Sequence, residues 1–139
     1  MILDEATCAK TINGYTVDEW KPLLGLIPEI EATSEFQLEH PSTPFYVDAP
    51  VVTQFRKAVY GIPIMIGFDW PRWEEGKRIQ KDADFDFDTI DLVKKCQFIT
   101  MVVRADRFAE GALASTFKSG VMLKILKSIR EEVESKASY

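Results

Sequence analysis

The chain has 139 residues and a formal net charge of −5, and 46% of its residues are hydrophobic. A domain of this size buries about two-thirds of the surface that its unfolded chain exposes, so it folds without disulfides or a structural metal. Cys8 and Cys96 lie in different contexts, and His40 is the only histidine, which excludes disulfide frameworks and Cys/His zinc clusters. We therefore expect free thiols, no metal and no cofactor.

The composition also bears on location and partners. The N-terminus is acidic where a secretory signal is basic, and no apolar run approaches the roughly 20 residues of a membrane span. We expect a cytoplasmic protein without a membrane partner. A basic strip near the C-terminus could favour nucleic acid, but the sequence pI of about 4.9 and the glutamates that follow the strip argue against it. The strip consists of Lys118, Lys124, Lys127 and Arg130.

The first elements are an N-terminal arm and a helix. Residues 1–15, with a turn signal at Asn13-Gly14, form either an ordered arm or a flexible tail, and residues 16–139 form one helical domain. Thr16 and Glu19 have capping-box spacing, which predicts a helix over 17–27 that ends at Pro28. Residues 35–39 then alternate with period two, as in a short strand.

The middle of the chain predicts a second helix and a buried extended segment. Asp48 is expected to cap a helix over 49–60, which Gly61 and Pro63 end. Residues 62–68 are apolar but contain two helix breakers, so we expect extended chain. Asp69 is then expected to cap a helix with Pro71 in its first turn.

The C-terminal half predicts three more helices, over 88–105 with Asp88 as cap, over 111–118, and over 121–134. The sequence as a whole therefore predicts a mainly α-helical single compact domain of about five or six helices. A short extended or two-stranded element around 35–39 and 62–68 is compatible with this pattern.

The aspartates at 84, 86 and 88 reproduce the first three oxygen ligands of an EF-hand calcium loop. The rest of the loop does not match, since Thr89 replaces the turn glycine and Lys95 replaces the bidentate glutamate. A solvated linker that caps a helix is the better interpretation.

The segment Asp69-Trp70-Pro71-Arg72-Trp73 places two tryptophans three residues apart beside a carboxylate. Such a pair could stack a ring or clamp a peptide. Large aromatic residues at this spacing more often face a core, and here the carboxylate would only cap a helix.

The densest polar cluster joins Arg104, Asp106, Arg107 and Glu110 near a helix end. The cluster could be an ion-pair network in which the arginines hold the carboxylates and fix an interhelical corner. The other interpretation is an anion-binding or acid–base site. With Ser119, and with Asp69, Trp70 and Trp73, these residues are the candidate binding residues.

Two phrases of the sequence, Phe68–Trp73 and Arg104–Gly120, resemble a family of small uncharacterised prokaryotic proteins, a domain of unknown function. The resemblance extends from the first helix near Trp20 to the last near Glu132. It implies a complete family member in which the two phrases come together, and it implies no chemistry. Ala112 and Val121 occupy positions that are often histidine in this family, so a site that uses those histidines would be absent here.

The leading hypothesis for function is a non-catalytic binding or regulatory module for a partner protein or small ligand, and a homodimer is compatible with it. The alternative is a small enzyme that uses Glu110 or Asp106 as general base, with Arg104 or Arg107 holding an anionic substrate.

Overall fold

The computed structural model of the chain describes residues 2–39, 46–108 and 111–137. These residues form eight α-helices, two 3₁₀ helices and two two-stranded sheets. The mainly α-helical fold class is therefore confirmed. The helices outnumber the predicted five or six because the N-terminal arm contains a short helix and because Pro28, expected to end the first predicted helix, instead lies in the first turn of another.

The helices are α1 (Cys8–Asn13), α2 (Val17–Leu24), α3 (Ile27–Ala32), α4 (Pro50–Gly61), α5 (Glu74–Lys81), α6 (Leu92–Ala105), α7 (Ala112–Lys118) and α8 (Val121–Ala137). The strands are β1 (Leu3–Asp4), β2 (Gln37–Glu39), β3 (Tyr46–Asp48) and β4 (Ile66–Gly67). The 3₁₀ helices cover Trp70–Arg72 and Phe87–Thr89.

Helix α6 is the centre of the fold. It packs against α1, α7, α8, β4 and the first 3₁₀ helix. A helix that is apolar around most of its circumference is buried by neighbours on several sides. The hydroxyl of Thr100 accepts a hydrogen bond from the Ile66 amide at 3.1 Å and donates to the Cys96 carbonyl at 2.8 Å, so this buried polar group joins α6 to β4.

The extended segments predicted around 35–39 and 62–68 are present, but they pair with other parts of the chain. Strand β2 is antiparallel to β3, with Leu38 opposite Val47, while β4 is parallel to β1, with Ile66 opposite Leu3. Helix α1 of the N-terminal arm packs on α6, and its Cys8 and Ile12 are buried in the core.

The start of α2 confirms the predicted capping box. The Thr16 hydroxyl accepts from the Glu19 amide at 3.2 Å, and the Glu19 carboxylate accepts from the Thr16 amide at 2.9 Å. The helix ends at Leu24, and Pro28 lies in the first turn of α3, where its missing donor is harmless.

The predicted helix caps at Asp48 and Asp88 are wrong. Ala49 precedes α4 without a side-chain cap, because Asp48 lies in β3 and turns its carboxylate toward Arg56. Helix α6 begins after Asp91, whose carboxylate accepts from the Lys94 amide at 2.8 Å, whereas Asp88 belongs to the preceding 3₁₀ helix. The acidic linker, residues 82–91, contains several aspartates that could cap a helix. Leu92 is buried in the first turn of α6, and this places Asp91 at the cap position.

Candidate functional site

An aromatic surface forms where the first 3₁₀ helix meets the end of α6. The rings of Trp70 and Phe108 lie with their centroids 6.2 Å apart, and Phe68 makes an edge contact with Trp73 at 5.5 Å. We call Phe68, Trp70, Trp73 and Phe108 the Trp70–Phe108 surface. It joins the two phrases of the sequence analysis, which confirms that they come together in the fold.

The exposure of the four rings is uneven. Phe108 is 82% exposed, while Phe68, Trp70 and Trp73 are partly buried against the core. In the described residues, the other exposed large apolar side chains are Ile2, Leu38 and Val47, which are about half as exposed as Phe108. The surface therefore presents the exposed ring of Phe108 beside the partly buried ring of Trp70.

Charged side chains flank these rings. Asp69 and Arg72 form an ion pair at 3.6 Å in which both side chains are exposed, and Arg107 is also exposed. The predicted cap at Asp69 is wrong, because its carboxylate accepts no backbone amide of the 3₁₀ helix that follows. Trp73 then precedes α5 and lies over Gly76, where an added Cβ would come within 2.2 Å of the indole ring.

In the polar cluster near residue 106, the arginine that holds the carboxylate is not one of the predicted two. The Arg56 guanidinium of α4 pairs with both Asp48 and Asp106, and we call these three residues the Arg56 cluster. Burial alone lowers the pKa of Arg56, but the two carboxylates outweigh it and raise the pKa. The predicted pairing of Asp106 with Arg104 or Arg107 is therefore wrong, since Arg56 holds this carboxylate.

Asp106 also fixes the next helix. Its other oxygen accepts from the Leu113 amide in the first turn of α7 at 3.0 Å. Gly111 precedes this helix with a φ of +91°, a left-handed conformation that glycine adopts without steric cost. The Arg56 cluster thus joins β3 and α4 to the corner between α6 and α7. Glu110, the other predicted base, lies outside the described residues.

Ser119 directly follows α7. Its hydroxyl donates to the Thr116 carbonyl at 3.1 Å and accepts from the Val121 amide at 3.4 Å. It lines a cavity of about 210 Å³ together with Ala112, Val121 and Gln80. The binding role of Ser119, like that of the other candidate residues, stays a prediction.

A buried charge was missed in the sequence analysis. The Lys95 side chain is only 3% exposed, and its ammonium lies 2.7 Å from the Glu132 carboxylate of α8. The second oxygen of this carboxylate pairs with Lys136 at 3.3 Å. The spacing to Leu92 and Ile99, three residues before and four after Lys95, places it on the buried face of α6 and could have revealed it.

Both cysteines are buried free thiols. Burial raises the pKa of Cys96, and the neighbouring Cys8 raises it further. Burial also raises the pKa of Cys8, against hydrogen bonds that lower it. Neither thiol is therefore activated as a nucleophile at neutral pH.

The acidic linker makes local turns. Asp82 accepts from the Asp84 amide at 3.0 Å, and Asp86 accepts from the Asp88 amide at 2.9 Å. The hydroxyl of Ser128 donates to Asp88 at 2.5 Å. No group of three or more His, Cys, Asp or Glu side chains within residues 2–39, 46–108 and 111–137 is arranged to hold a metal ion. His40 is not among these residues.

Two lysines of the basic strip interact with other parts of the chain. Lys124 donates to the Ala83 carbonyl at 3.0 Å, and Lys127 pairs with Glu31 at 3.2 Å. Separately, no helix in the described part of the chain is long and apolar enough to cross a membrane.

The fold and the site define a mainly helical domain with an exposed aromatic surface. A model of the family of unknown function DUF6508 matches residues 15–135, so the chain belongs to this family. No curated protein and no solved structure matches the chain significantly. Membership of a family of unknown function is what the sequence resemblance predicted, whereas a prokaryotic origin stays a prediction.

Proposed function

We propose that this domain is a non-catalytic binding module that docks a partner protein on the Trp70–Phe108 surface. The observation that carries the proposal is the 82% exposure of Phe108 beside the ring of Trp70. Isolated exposed apolar residues are common on protein surfaces, but an exposed aromatic ring beside a partly buried tryptophan is an arrangement that suits an interaction site, where aromatic residues are enriched.

The setting of the rings favours a protein over a small ligand. A binding site usually encloses most of the surface of a small ligand. The Phe108 ring projects into solvent and forms no wall of such an enclosure, so it suits a contact with another protein surface better. Trp70 is a suitable anchor because it is partly buried and held by its 3₁₀ helix, so little entropy is lost when a partner covers it. Asp69, Arg72 and Arg107 supply a polar rim of the kind that surrounds such anchors.

The contacts of the Asp106 carboxylate are the reason to prefer a binding function over the alternative of an enzyme. A general base needs a carboxylate oxygen that can reach a substrate proton. One Asp106 oxygen pairs with Arg56 and the other accepts the Leu113 amide, and the side chain is 16% exposed. Both oxygens of this carboxylate are therefore occupied by partners within the protein, and the side chain joins the two helices at their corner.

Photo-crosslinking in cells that naturally make the protein tests the proposal. Phe108 is replaced by p-benzoylphenylalanine, which keeps an apolar ring at the centre of the surface. We expect a defined crosslinked protein from this position and none from the same replacement at Glu29, an exposed residue of α3. A crosslink to a second copy would identify the partner as the chain itself.

Binding of the purified partner then measures the contribution of Trp70. We expect Trp70→Ala to weaken binding about 30-fold, which corresponds to about 2 kcal/mol for an aromatic anchor. A control change at Glu29 should leave the affinity unchanged. Identical crosslinks from positions 108 and 29, or an affinity insensitive to Trp70→Ala, would refute the proposed surface.

A further inference from the structure

Two arginines at the end of α6 have no acidic partner among the described residues. Arg104 lies in the last turn of the helix and is partly exposed, and Arg107 follows three residues later and is exposed. In the described part of the chain, no ion pair or side-chain hydrogen bond engages either guanidinium. Each guanidinium therefore keeps its planar set of N–H donors for a group outside the chain.

The two arginines lie on the same side of the chain at this helix end. The Arg107 amide donates to the Arg104 carbonyl at 3.2 Å, and the Phe108 amide donates to the Ala105 carbonyl at 3.0 Å. These bonds span three residues, as in a 3₁₀ turn, in which side chains three positions apart eclipse. Arg107 directly precedes Phe108, so the pair of positive charges borders the Trp70–Phe108 surface.

The Arg56 cluster does not neutralise this pair of arginines. The cluster contains two carboxylates and one guanidinium, so it carries one excess negative charge. Asp106 is two positions from Arg104, and residues two apart on a helix do not face each other. Both oxygens of Asp106 are already occupied, one by Arg56 and the other by the Leu113 amide.

The segment that carries Trp70 adds no net charge to the surface. Asp69 and Arg72 pair with each other at 3.6 Å, so their charges cancel. Glu110, three positions after Arg107, lies outside the described residues. Among the described side chains, the Trp70–Phe108 surface is therefore bordered by an unmatched pair of positive charges.

We propose that the protein segment docked on the Trp70–Phe108 surface is acidic, with an apolar side chain against the rings and carboxylates on Arg104 and Arg107. This inference rests on the proposed binding function and adds the chemistry of the partner. A carboxylate matches the fork of an arginine with two parallel charge-assisted hydrogen bonds, which are stronger than neutral ones. Opposite charges also raise the rate of association and select against basic partners.

An acidic protein segment fits this surface better than a nucleic acid does. Arginines and aromatic rings also bind single-stranded nucleic acid, but such binding uses a positively charged groove that follows several nucleotides. The chain carries a net charge of −5, which repels an extended polyanion. The unmatched pair of arginines spans a single turn, and a few carboxylates are enough to pair with it.

Selection from a random peptide library tests this chemistry without knowledge of the natural partner. The immobilised full chain is offered a phage-displayed library of random dodecapeptides at about 50 mM salt, where charge interactions are little screened. We expect the enriched peptides to combine aspartate or glutamate with a large apolar residue. The acidic bias should disappear when the same library is selected on a double variant with Arg104→Gln and Arg107→Gln.

The affinity of one enriched peptide, synthesised with a fluorescent label, measures the role of each arginine. Arg104→Gln and Arg107→Gln should each weaken binding about tenfold, measured by fluorescence anisotropy. Arg130→Gln, at a partly exposed arginine of α8, removes the same charge elsewhere and should change the affinity less than about twofold. Circular dichroism verifies that all variants keep the helical fold.

The outcomes separate this proposal from the proposed function. Enriched peptides that lack an acidic bias but lose binding on Trp70→Ala would overturn the acidic partner and leave the proposed surface intact. No enrichment, or peptides that need neither Trp70 nor the two arginines, would count against both. Tighter binding of oligothymidylate than of any peptide would overturn the proposal in favour of nucleic acid. Equally tight binding of a synthetic peptide of the acidic linker would support it and identify the partner as a second copy.

Discussion

Arg56 pairs with two carboxylates, Asp48 and Asp106, that are distant from each other in the sequence. Asp48 lies eight residues before it and Asp106 fifty residues after it. The three side chains are between 16% and 32% exposed, so water screens them only in part. Removal of the guanidinium would leave two partly buried carboxylates facing each other without a counterion.

We expect Arg56→Met to lower the free energy of unfolding by about 1–3 kcal/mol, measured by urea denaturation. Arg72→Met is the matched control, because it removes an arginine from an exposed ion pair and should change stability by less than about 0.5 kcal/mol. Equal effects of the two substitutions would contradict a structural role for the Arg56 cluster.

The pair of Lys95 and Glu132 should respond differently to loss of each partner. Lys95→Met replaces a buried ammonium with an apolar chain of similar length, so we expect a change below about 1 kcal/mol in either direction. Glu132→Ala strands the buried ammonium and should cost about 2–4 kcal/mol. Urea unfolding of both variants measures the asymmetry, and similar losses for both would show that the buried charge is not the dominant cost.

At the scale of elements, the start of α6 tests which aspartate caps it. Asp91→Ala should lower stability by about 1 kcal/mol, the usual cost of losing a helix cap. Asp69→Ala serves as the comparison, since this exposed carboxylate caps nothing, and it should change stability by less than about 0.5 kcal/mol. Thermal unfolding followed by circular dichroism distinguishes the two, and a larger loss at Asp69 would contradict the observed caps.

The packing of Trp73 on α5 depends on Gly76. Alanine favours a helix over glycine by about 1 kcal/mol, but here its methyl group would overlap the indole ring. We expect Gly76→Ala to destabilise the protein by about 1–3 kcal/mol and to shift the tryptophan emission. Gly61→Ala, at the end of α4 with open space around an added Cβ, should be neutral or stabilising. Stabilisation by both substitutions would argue against the contact between Trp73 and Gly76.

At the scale of the whole molecule, local signals were predictable from sequence and distant pairings were not. The capping box at Thr16 and the periodicity of α4, α6, α7 and α8 lie within single elements, so the sequence alone predicts them. The partners of Asp106 and of β4 come from chain segments about 50 and 60 residues away, and no spacing rule links them. The sequence predicts Trp70 and Trp73 as candidate residues because the motif that contains them is distinctive. The role of Arg56 is visible only in the tertiary structure, which brings it to Asp106.

Burial of the two thiols is expected to make the domain less stable at alkaline pH. An unfolded thiol has a pKa of about 8.5, and burial raises the pKa of both Cys8 and Cys96 in the folded protein. A raised pKa means that the folded state keeps its proton where the unfolded state loses it. The stabilising contribution is therefore complete below about pH 8.5 and is lost as the pH rises above that value.

We expect the free energy of unfolding to fall above about pH 8.5, by up to about 1.4 kcal/mol per pH unit for each thiol. Cys96→Ala should lower stability by a constant amount at neutral pH, because it removes a fully buried side chain, but should then lose less than the parent between pH 8.5 and 10. Urea unfolding at several pH values, with reductant present to prevent oxidation, measures both slopes. Burial, Glu19 and Cys96 raise the pKa of Tyr15, so loss of Cys96 also removes a part of the Tyr15 contribution and makes the profile of the variant flatter still. Parallel pH profiles would mean that Cys96 ionises as readily in the folded protein as in the unfolded chain.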